Sequence, residues 1–315
     1  MLITIFQSLF DEKITIKITQ ECKHSIALKL VVARQSRYQM GIIASLIIKK
    51  RQGLLMLENR CQLQQHYEEH GYFVIRNYFS ASEIAELSAV VLNFHQLWQQ
   101  DNATFYQEEA FNSSLITGSE YLAVDDRIKL FNFISSQKVM NVVESVITNN
   151  PAFMNTQLFF NPVNRKQKDF WHRDCQYDHD VEGQKLAIQE TQVLHLRVPL
   201  FDELGMELVP KSHKRWDNEE EFNVRQEEKG RVSSDDLSTG KKISLSAGDL
   251  LVFSADMIHR GLYGLDRLAL DILVFDSAGD FADYVDDDCL PDSSMLDKID
   301  DPRLFINTID LKLNG

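Results

Sequence analysis

Trp171-His172-Arg173-Asp174, read together with Ala255-Asp256-Met257-Ile258-His259-Arg260-Gly261, decides how this chain folds. In extended backbone, residues i and i+2 lie on one face, roughly 6–7 Å apart along the strand. His172 and Asp174 can therefore reach one ion. With nine histidines in 315 residues, about one His-x-Asp triplet is expected by chance, so context must carry the reading. Phe153 to Phe160 is an aromatic, β-prone run that reads as a strand. The turn Asn161-Pro162-Val163-Asn164 then brings the chain back to Phe170-Trp171-His172. The similar triplet His66-Tyr67-Glu68 sits in a helical stretch, where i and i+2 diverge.

His259 arrives by a different route. Ile243 to Leu245 reads as a strand, Gly248-Asp249 as a turn, and Leu250 to Ser254 as a second strand, before a polar loop carrying the histidine. Arg267 to Phe275 is a further strand, opening on a cation. A closed β-barrel brings such distant positions together. Two imidazoles and one carboxylate hold one face of an iron(II) ion and leave the other positions free for substrate and O₂. His172, Asp174 and His259 are thus the expected metal ligands and catalytic residues.

The chain resembles the phytanoyl-CoA dioxygenase-like family of iron(II)/2-oxoglutarate oxygenases. The matching stretches are Glu69 to Ile75, Phe79 to Ile84, Trp171 to Asp174, Leu208 to Lys214, Ala247 to Phe253, and His259-Arg260-Gly261 followed by Arg267. They cover roughly residues 60–280 in the family's order. The resemblance implies a mostly β fold with flanking α-helices and a double-stranded β-helix (jelly-roll, cupin-like) core. It implies Fe(2+) on His172, Asp174 and His259, with Arg267 on the distal carboxylate of the co-substrate 2-oxoglutarate. Gln157 matches a position lining the family's active site, although strand packing explains it equally well. Related halogenases have a small residue where Asp174 stands, so hydroxylation of a small-molecule substrate by O₂ is expected. The alternative is a metal-binding jelly roll without oxygenase activity. Two positions depart from the family pattern. Lys211 replaces the glycine of a Pro-Gly-Ser-His turn, and Gly261 stands where a serine often contacts 2-oxoglutarate.

Other polar residues are weaker candidates. Arg260 adjoins His259 and should face away from the metal. His195 and Arg197 share one face of Val193 to Val198, where either can line the barrel near the co-substrate, although a satisfied core or surface position is the favoured outcome. His213 is read as holding its turn. Tyr177, Asp178 and His179 follow the expected ligands closely enough that any of them could meet substrate. Cys175 is expected to pack rather than ligate.

Composition fits a globular enzyme, with 44% hydrophobic and 25% charged residues. Residues 1–60 hold ten Lys/Arg and four Asp/Glu, so the net charge of −14 comes from an acidic remainder. Such a surface repels phosphates and argues against nucleic-acid substrates. The unpaired spacing of Cys22, Cys61, Cys175 and Cys289 suggests reduced thiols and a cytoplasmic location. Gly41 to Ile48 is too short to span a bilayer. Oligomeric state has no signature in the sequence.

Three segments are expected: an N-terminal extension (1–57), the oxygenase domain (58–290, helices in 62–148 and jelly roll in 153–276), and a tail (291–315). Gln62–His70, Ser82–Gln99 and Ser136–Thr148 read as helices. The second opens on a Ser80/Glu83 capping box before Ile84, Leu87 and Leu92. Residues 215–241 lack a period and suit either a solvated loop or a lid. Asp283 to Asp288 reads as a solvated acidic patch. The extension has three readings: an addition upstream of a functional start at Met56, an extra element packed on the core, or a basic amphipathic membrane-surface segment. Mass spectrometry of the native amino terminus separates the first from the others.

Overall fold

The period-2 alternation of the apolar runs is realised as two antiparallel sheets facing each other. The structure, a computed structural model, describes residues 18–20, 26–28, 60–190, 192–279 and 281–314. Two units are distinguished, Met1–Glu58 and Asn59–Gly315. In the first, β1 (Ile18–Gln20) pairs antiparallel with β2 (Ile26–Leu28). Cys22, the apolar run 41–48 and Met56 lie outside the described residues.

In the second unit the larger sheet has the order β3-β9-β6-β11-β5-β4. Its strands are β3 (Tyr72–Ile75), β4 (Asn112–Ser114), β5 (Pro151–Phe160), β6 (Val193–Pro199), β9 (Leu250–Ser254) and β11 (Leu268–Asp276). The smaller sheet has the order β10-β7-β8, built from β7 (Glu203–Leu208), β8 (Lys241–Leu245) and β10 (His259–Gly261). Together they are a double-stranded β-helix core. Alternation divides each central strand between two environments. Leu194, Leu196 and Val198 of β6, Leu250 and Val252 of β9, and Leu270, Ile272 and Val274 of β11 point outward into one large apolar cluster. Their neighbours Leu251 and Phe253 point inward, packing with Met206, Leu208 and Ile243 of the smaller sheet.

Helices cover the outer face. Helix α1 (60–70) precedes α2 (Ala81–Asp101), which opens on the expected capping box: Ser80 accepts from the Glu83 amide, and Glu83 accepts from the Ser80 amide. The buried stripe of α2 is Ile84, Leu87, Val90, Val91, Phe94 and Trp98. Leu92 instead faces solvent, one residue off the stripe. Further along are α3 (Ala103–Glu108), α4 (Val124–Ile134), α5 (Gln137–Val146), α6 (Val181–Glu190), α7 (Glu219–Arg225), α8 (Ser293–Leu296) and α9 (Arg303–Asn314). Val139, Val142, Val143 and Val146 are all buried on α5, as their spacing predicts. No helix among the described residues is long and apolar enough to cross a membrane.

Three segments differ from the sequence reading. Within the C-terminal segment, residues 291–314 hold α8 and α9, and α9 lies on β5. There the Phe305 ring stands 4.9 Å from Phe131 and 5.3 Å from Phe153, and the Thr308 hydroxyl donates to the Phe153 carbonyl. The acidic patch is partly structural, since Asp288 accepts from the Ser119 amide and its carbonyl accepts from buried Arg127. Residues 215–241 hold α7 and are tied down at both ends, as described below.

Phe305→Ala should lower unfolding free energy by about 3–5 kcal/mol in denaturant titrations, because it opens a cavity between α4, α9 and β5. A loss under 1 kcal/mol would show that α9 does not close the core. His95 gives a pH signature: burial beside Phe160 pushes its pKa from the ordinary 6.5 down to about 4. Between these values the unfolded chain binds a proton that the folded chain refuses, so stability falls as pH drops from about 6.5 to 4. His95→Gln should flatten that decline, measured as the change in denaturation midpoint between pH 7 and pH 5.

Candidate active site

The site is assembled between the sheets. At His172 the chain makes a single antiparallel bridge to β10: the His172 amide donates to the His259 carbonyl (3.0 Å), and the reverse bond is 2.9 Å. The two rings therefore stand side by side, with centroids 4.2 Å apart. No second pair extends the bridge. The Asp174 amide turns to the Ala255 carbonyl (3.1 Å), and Asp174 opens a one-turn 3₁₀ helix, Asp174–Tyr177. The strand expected through His172 and Asp174 is thus one bridge followed by a turn, yet both side chains still converge.

Asp174 Oδ1 lies 3.6 Å from His172 Nε2 and 3.5 Å from His259 Nε2. One ligand atom from each of the three residues lies within 4.8 Å of the others. Atoms about 2.1 Å from a shared ion, at right angles, stand about 3 Å apart, so a small closure would complete such a site. The imidazoles are prepared for it. His172 Nδ1 donates to the Phe170 carbonyl (3.1 Å) and His259 Nδ1 to the Met257 carbonyl (2.9 Å). A carbonyl only accepts, so the proton sits on Nδ1 and each Nε2 lone pair faces the site. Burial also disfavours the charged ring, lowering the pKa of His172 and taking that of His259 down to about 3. Burial opposes ionisation of Asp174, but His195, His259 and His172 outweigh it and hold the carboxyl well below its usual range.

Arg173, between the two candidate ligands, points the opposite way. Its guanidinium is fully buried, bonds Asp217 through Nε (3.0 Å) and Nη2 (2.8 Å), and donates to the carbonyls of Ser212 and Asp256. Arg225 of α7 completes the group on the other oxygen of Asp217 (2.9 Å). Farther along, the Trp171 amide donates to the Ser233 carbonyl (2.8 Å) and its indole to the Asp235 carbonyl (3.0 Å). Residues 215–241 are thus anchored behind the segment that carries His172 and Asp174. Between these anchors, residues 227–230 are exposed turns.

The inner faces of β5, β6, β9, β10 and β11 enclose a cavity of about 470 Å³ with His172, Asp174 and His259 on its wall. Arg267, just before β11, also lines it. Only 4% exposed, its Nε and Nη1 make no hydrogen bond, and the nearest carboxylate oxygen, on Glu203, is 3.8 Å from Nε. Burial and the neighbouring Arg197 push its pKa down to about 10. Leaving two buried guanidinium donors unsatisfied is costly, and an anion in the cavity would relieve that cost. Gly261 makes room for it: a Cβ there would stand 2.2 Å from Arg267 Nη2. A serine at this position would therefore require the flexible end of Arg267 to shift. At the second departure, Lys211 adopts the left-handed conformation (φ 69°) that glycine favours.

The remaining candidates divide. Gln157 on β5 lines the cavity, as do Tyr177, Asp178, His179 and Cys175. Arg260 faces away, bonding Glu207 and Asp236 and stacking its guanidinium 4.6 Å from the Trp171 ring centroid. His213 is buried in a one-turn 3₁₀ segment beside the Ser212 hydroxyl, which accepts from the Ile258 amide. His195 meets both of its readings, a satisfied buried position that also lines the cavity: Nε2 stands 2.7 Å from Asp174 Oδ2 and Nδ1 3.3 Å from Asp271 Oδ2. Burial would lower its pKa, but Asp174 and Asp271 carry it up to about 9. Asp271 also receives Arg197 (2.8 Å), which grips both oxygens of Glu203. The signal for Asp271 was present in the sequence, as a lone acid inside the apolar run Leu268 to Phe275.

The sequence profile of the phytanoyl-CoA dioxygenase family matches residues 67–262. The chain belongs to this family. It is therefore an enzyme of the iron(II)/2-oxoglutarate class, whose metal and co-substrate fit the donor set and the orphaned guanidinium just described. No curated protein sequence matched the chain. Among solved structures, AviO1 from Streptomyces viridochromogenes Tue57 superposes with a TM-score of 0.50 at 16% identity, over 70% of this chain and 96% of that one. EctD from S. alaskensis, with 2-oxoglutarate and 5-hydroxyectoine, gives 0.49 at 14% identity over 69% and 76%. HygX from Streptomyces hygroscopicus, with nickel and 2-oxoglutarate bound, gives 0.47 at 13% over 68% and 86%. At these identities the likeness is one of fold.

Cobalt(II), used as a spectroscopic stand-in at about a hundred times its dissociation constant, should stabilise the chain by about 2.7 kcal/mol. Asp174→Ala should abolish the shift in melting temperature. An equal shift in that variant would place the ion elsewhere.

Proposed function

We propose that the chain hydroxylates a small organic molecule, with iron(II) held by His172 Nε2, Asp174 and His259 Nε2. Arg267 takes the distal carboxylate of 2-oxoglutarate. The observation that carries this reading is the unpartnered Arg267 guanidinium in the same cavity as three converging ligand atoms. When bound, the metal, the keto-acid and O₂ together supply an oxidant that converts C–H to C–OH and releases succinate and CO₂.

The chain's own residues position and shield. A guanidinium offers a carboxylate two parallel hydrogen bonds, and Arg267 has donors to spare for them. Phe159 and Tyr263 lie against Arg267, 5.6 Å and 5.3 Å from its guanidinium carbon, and limit water around that contact. Gln157 faces the cavity from β5 and is assigned to the co-substrate side. Asp174 occupies the place a halide would need, which favours hydroxylation. Toward the mouth, Phe170, Tyr177, Phe281 and Tyr284 offer aromatic surface, and the cavity volume suits a compact substrate with an apolar body. Among the described residues Cys61, Cys175 and Cys289 are free thiols, which supports a reducing compartment such as the cytoplasm.

Supplied with iron(II) and O₂, the protein should convert 2-oxoglutarate to succinate, and substrate should stimulate the rate. Losing the charge-assisted bonds of Arg267 in Arg267→Ala should raise the 2-oxoglutarate concentration for half-maximal release by about tenfold or more. Arg260→Ala should change it far less. Metal binding without any succinate would instead identify a jelly roll that has no oxygenase activity.

A further inference from the structure

His195 bonds one oxygen of Asp174 while the other oxygen faces the two histidines. Oδ2 lies 2.7 Å from His195 Nε2, and Oδ1 lies 3.6 Å and 3.5 Å from the Nε2 atoms of His172 and His259. A carboxylate at a metal site can turn about its Cβ–Cγ bond and present one oxygen or two. Nothing in the short 3₁₀ turn that carries Asp174 prevents this, because its backbone amide bonds the Ala255 carbonyl and leaves the side chain free. His195 is itself immobile. It is 3% exposed in the middle of β6, its ring stacks on Phe253 (centroids 4.7 Å apart, planes 19°), and its far nitrogen meets Asp271. Asp271 is fixed in turn by Arg197, and Arg197 by Glu203. The last carboxylate in this row is also the acid nearest Arg267. One buried row of alternating charge thus runs from the candidate metal ligand to the candidate co-substrate arginine.

We propose that His195, held by Asp271, is a positioning residue that clamps Oδ2 of Asp174, so that Asp174 offers the metal Oδ1 alone. The inference rests on the metal-site reading above. It places no proton transfer on His195; its part is to hold one oxygen of the carboxylate and thereby keep a coordination position from being filled by the second.

Two amide substitutions separate this role from simple core packing. In His195→Gln the side-chain nitrogen reaches the place of Nε2 and can still donate to Asp174. In His195→Asn it reaches only the place of Nδ1, keeping the Asp271 end and losing the Asp174 end. Cobalt(II) affinity would be measured by calorimetry on the full chain, and the cobalt visible spectrum would report the coordination. Metal-free melting temperatures would show how far each variant is folded. Removing an outer partner of a metal ligand typically costs 10–100-fold in affinity. His195→Asn should lose about that much and show an altered cobalt spectrum, while His195→Gln should stay within about threefold of the parent with the parent's spectrum. Equal affinity and spectra in all three proteins would overturn the clamp, and so would a loss in His195→Gln as large as in His195→Asn. A parent that takes up no cobalt would overturn the metal-site reading, and the clamp with it.

Discussion

Two backbone hydrogen bonds between His172 and His259 hold the site together. They join a loop following β5 to the start of β10, segments far apart in sequence, and set two imidazoles side by side on neighbouring chains. Everything functional is arranged around that bridge. Each ring is locked by its own carbonyl partner, Asp174 stands two residues after His172, and Arg173 between those two ties the segment to Asp217 behind. Side-chain alternation lets one short segment face a cavity and an anchor at once.

The larger sheet applies the same rule on a larger scale. Its outer face is mostly apolar and packs under helices, while the inner face carries Gln157, His195, Arg197 and Asp271 at alternate positions. Burying so many charges is expensive, and replacing such groups by apolar side chains often stabilises a protein. Here each carboxylate of the row faces a cation or an imidazole, so their mutual attraction offsets part of the cost. Within this row, among the described residues, it is Arg267 whose Nε and Nη1 are left without a hydrogen-bond acceptor. This imbalance is what a binding site for a dicarboxylate would look like before its ligand arrives.

Much of this was legible in the sequence because it depends on local signals. The strands read at 153–160 and 267–275 follow from β-branched and aromatic runs, the start of α2 from Ser80 and Glu83, and the candidate pair His172 and Asp174 from its place after a turn. Arg267 came from the ordered family resemblance, since no local pattern distinguishes it. Other features were not readable because long-range packing decides them. Whether His195 faced the core or the ligands depended on which side of β6 the smaller sheet covers. The stretch after 291 read as a tail because α9 becomes necessary only when β5 presents an uncovered aromatic face. Residues 215–241 lack a hydrophobic period because they are fastened by Arg173, Asp217 and Arg225, a buried polar knot rather than an apolar stripe.

The position of α9 has a consequence for synthesis. Strand β5 sits between β4 and β11, and its outer aromatic residues are covered in part by a helix encoded more than a hundred residues later. While the ribosome is still translating the intervening segments, that surface has no native cover. The nascent chain therefore carries sticky, unpaired strands for several seconds at ordinary elongation rates. Its yield in cells should accordingly depend on chaperone capacity more than its folded stability alone would suggest.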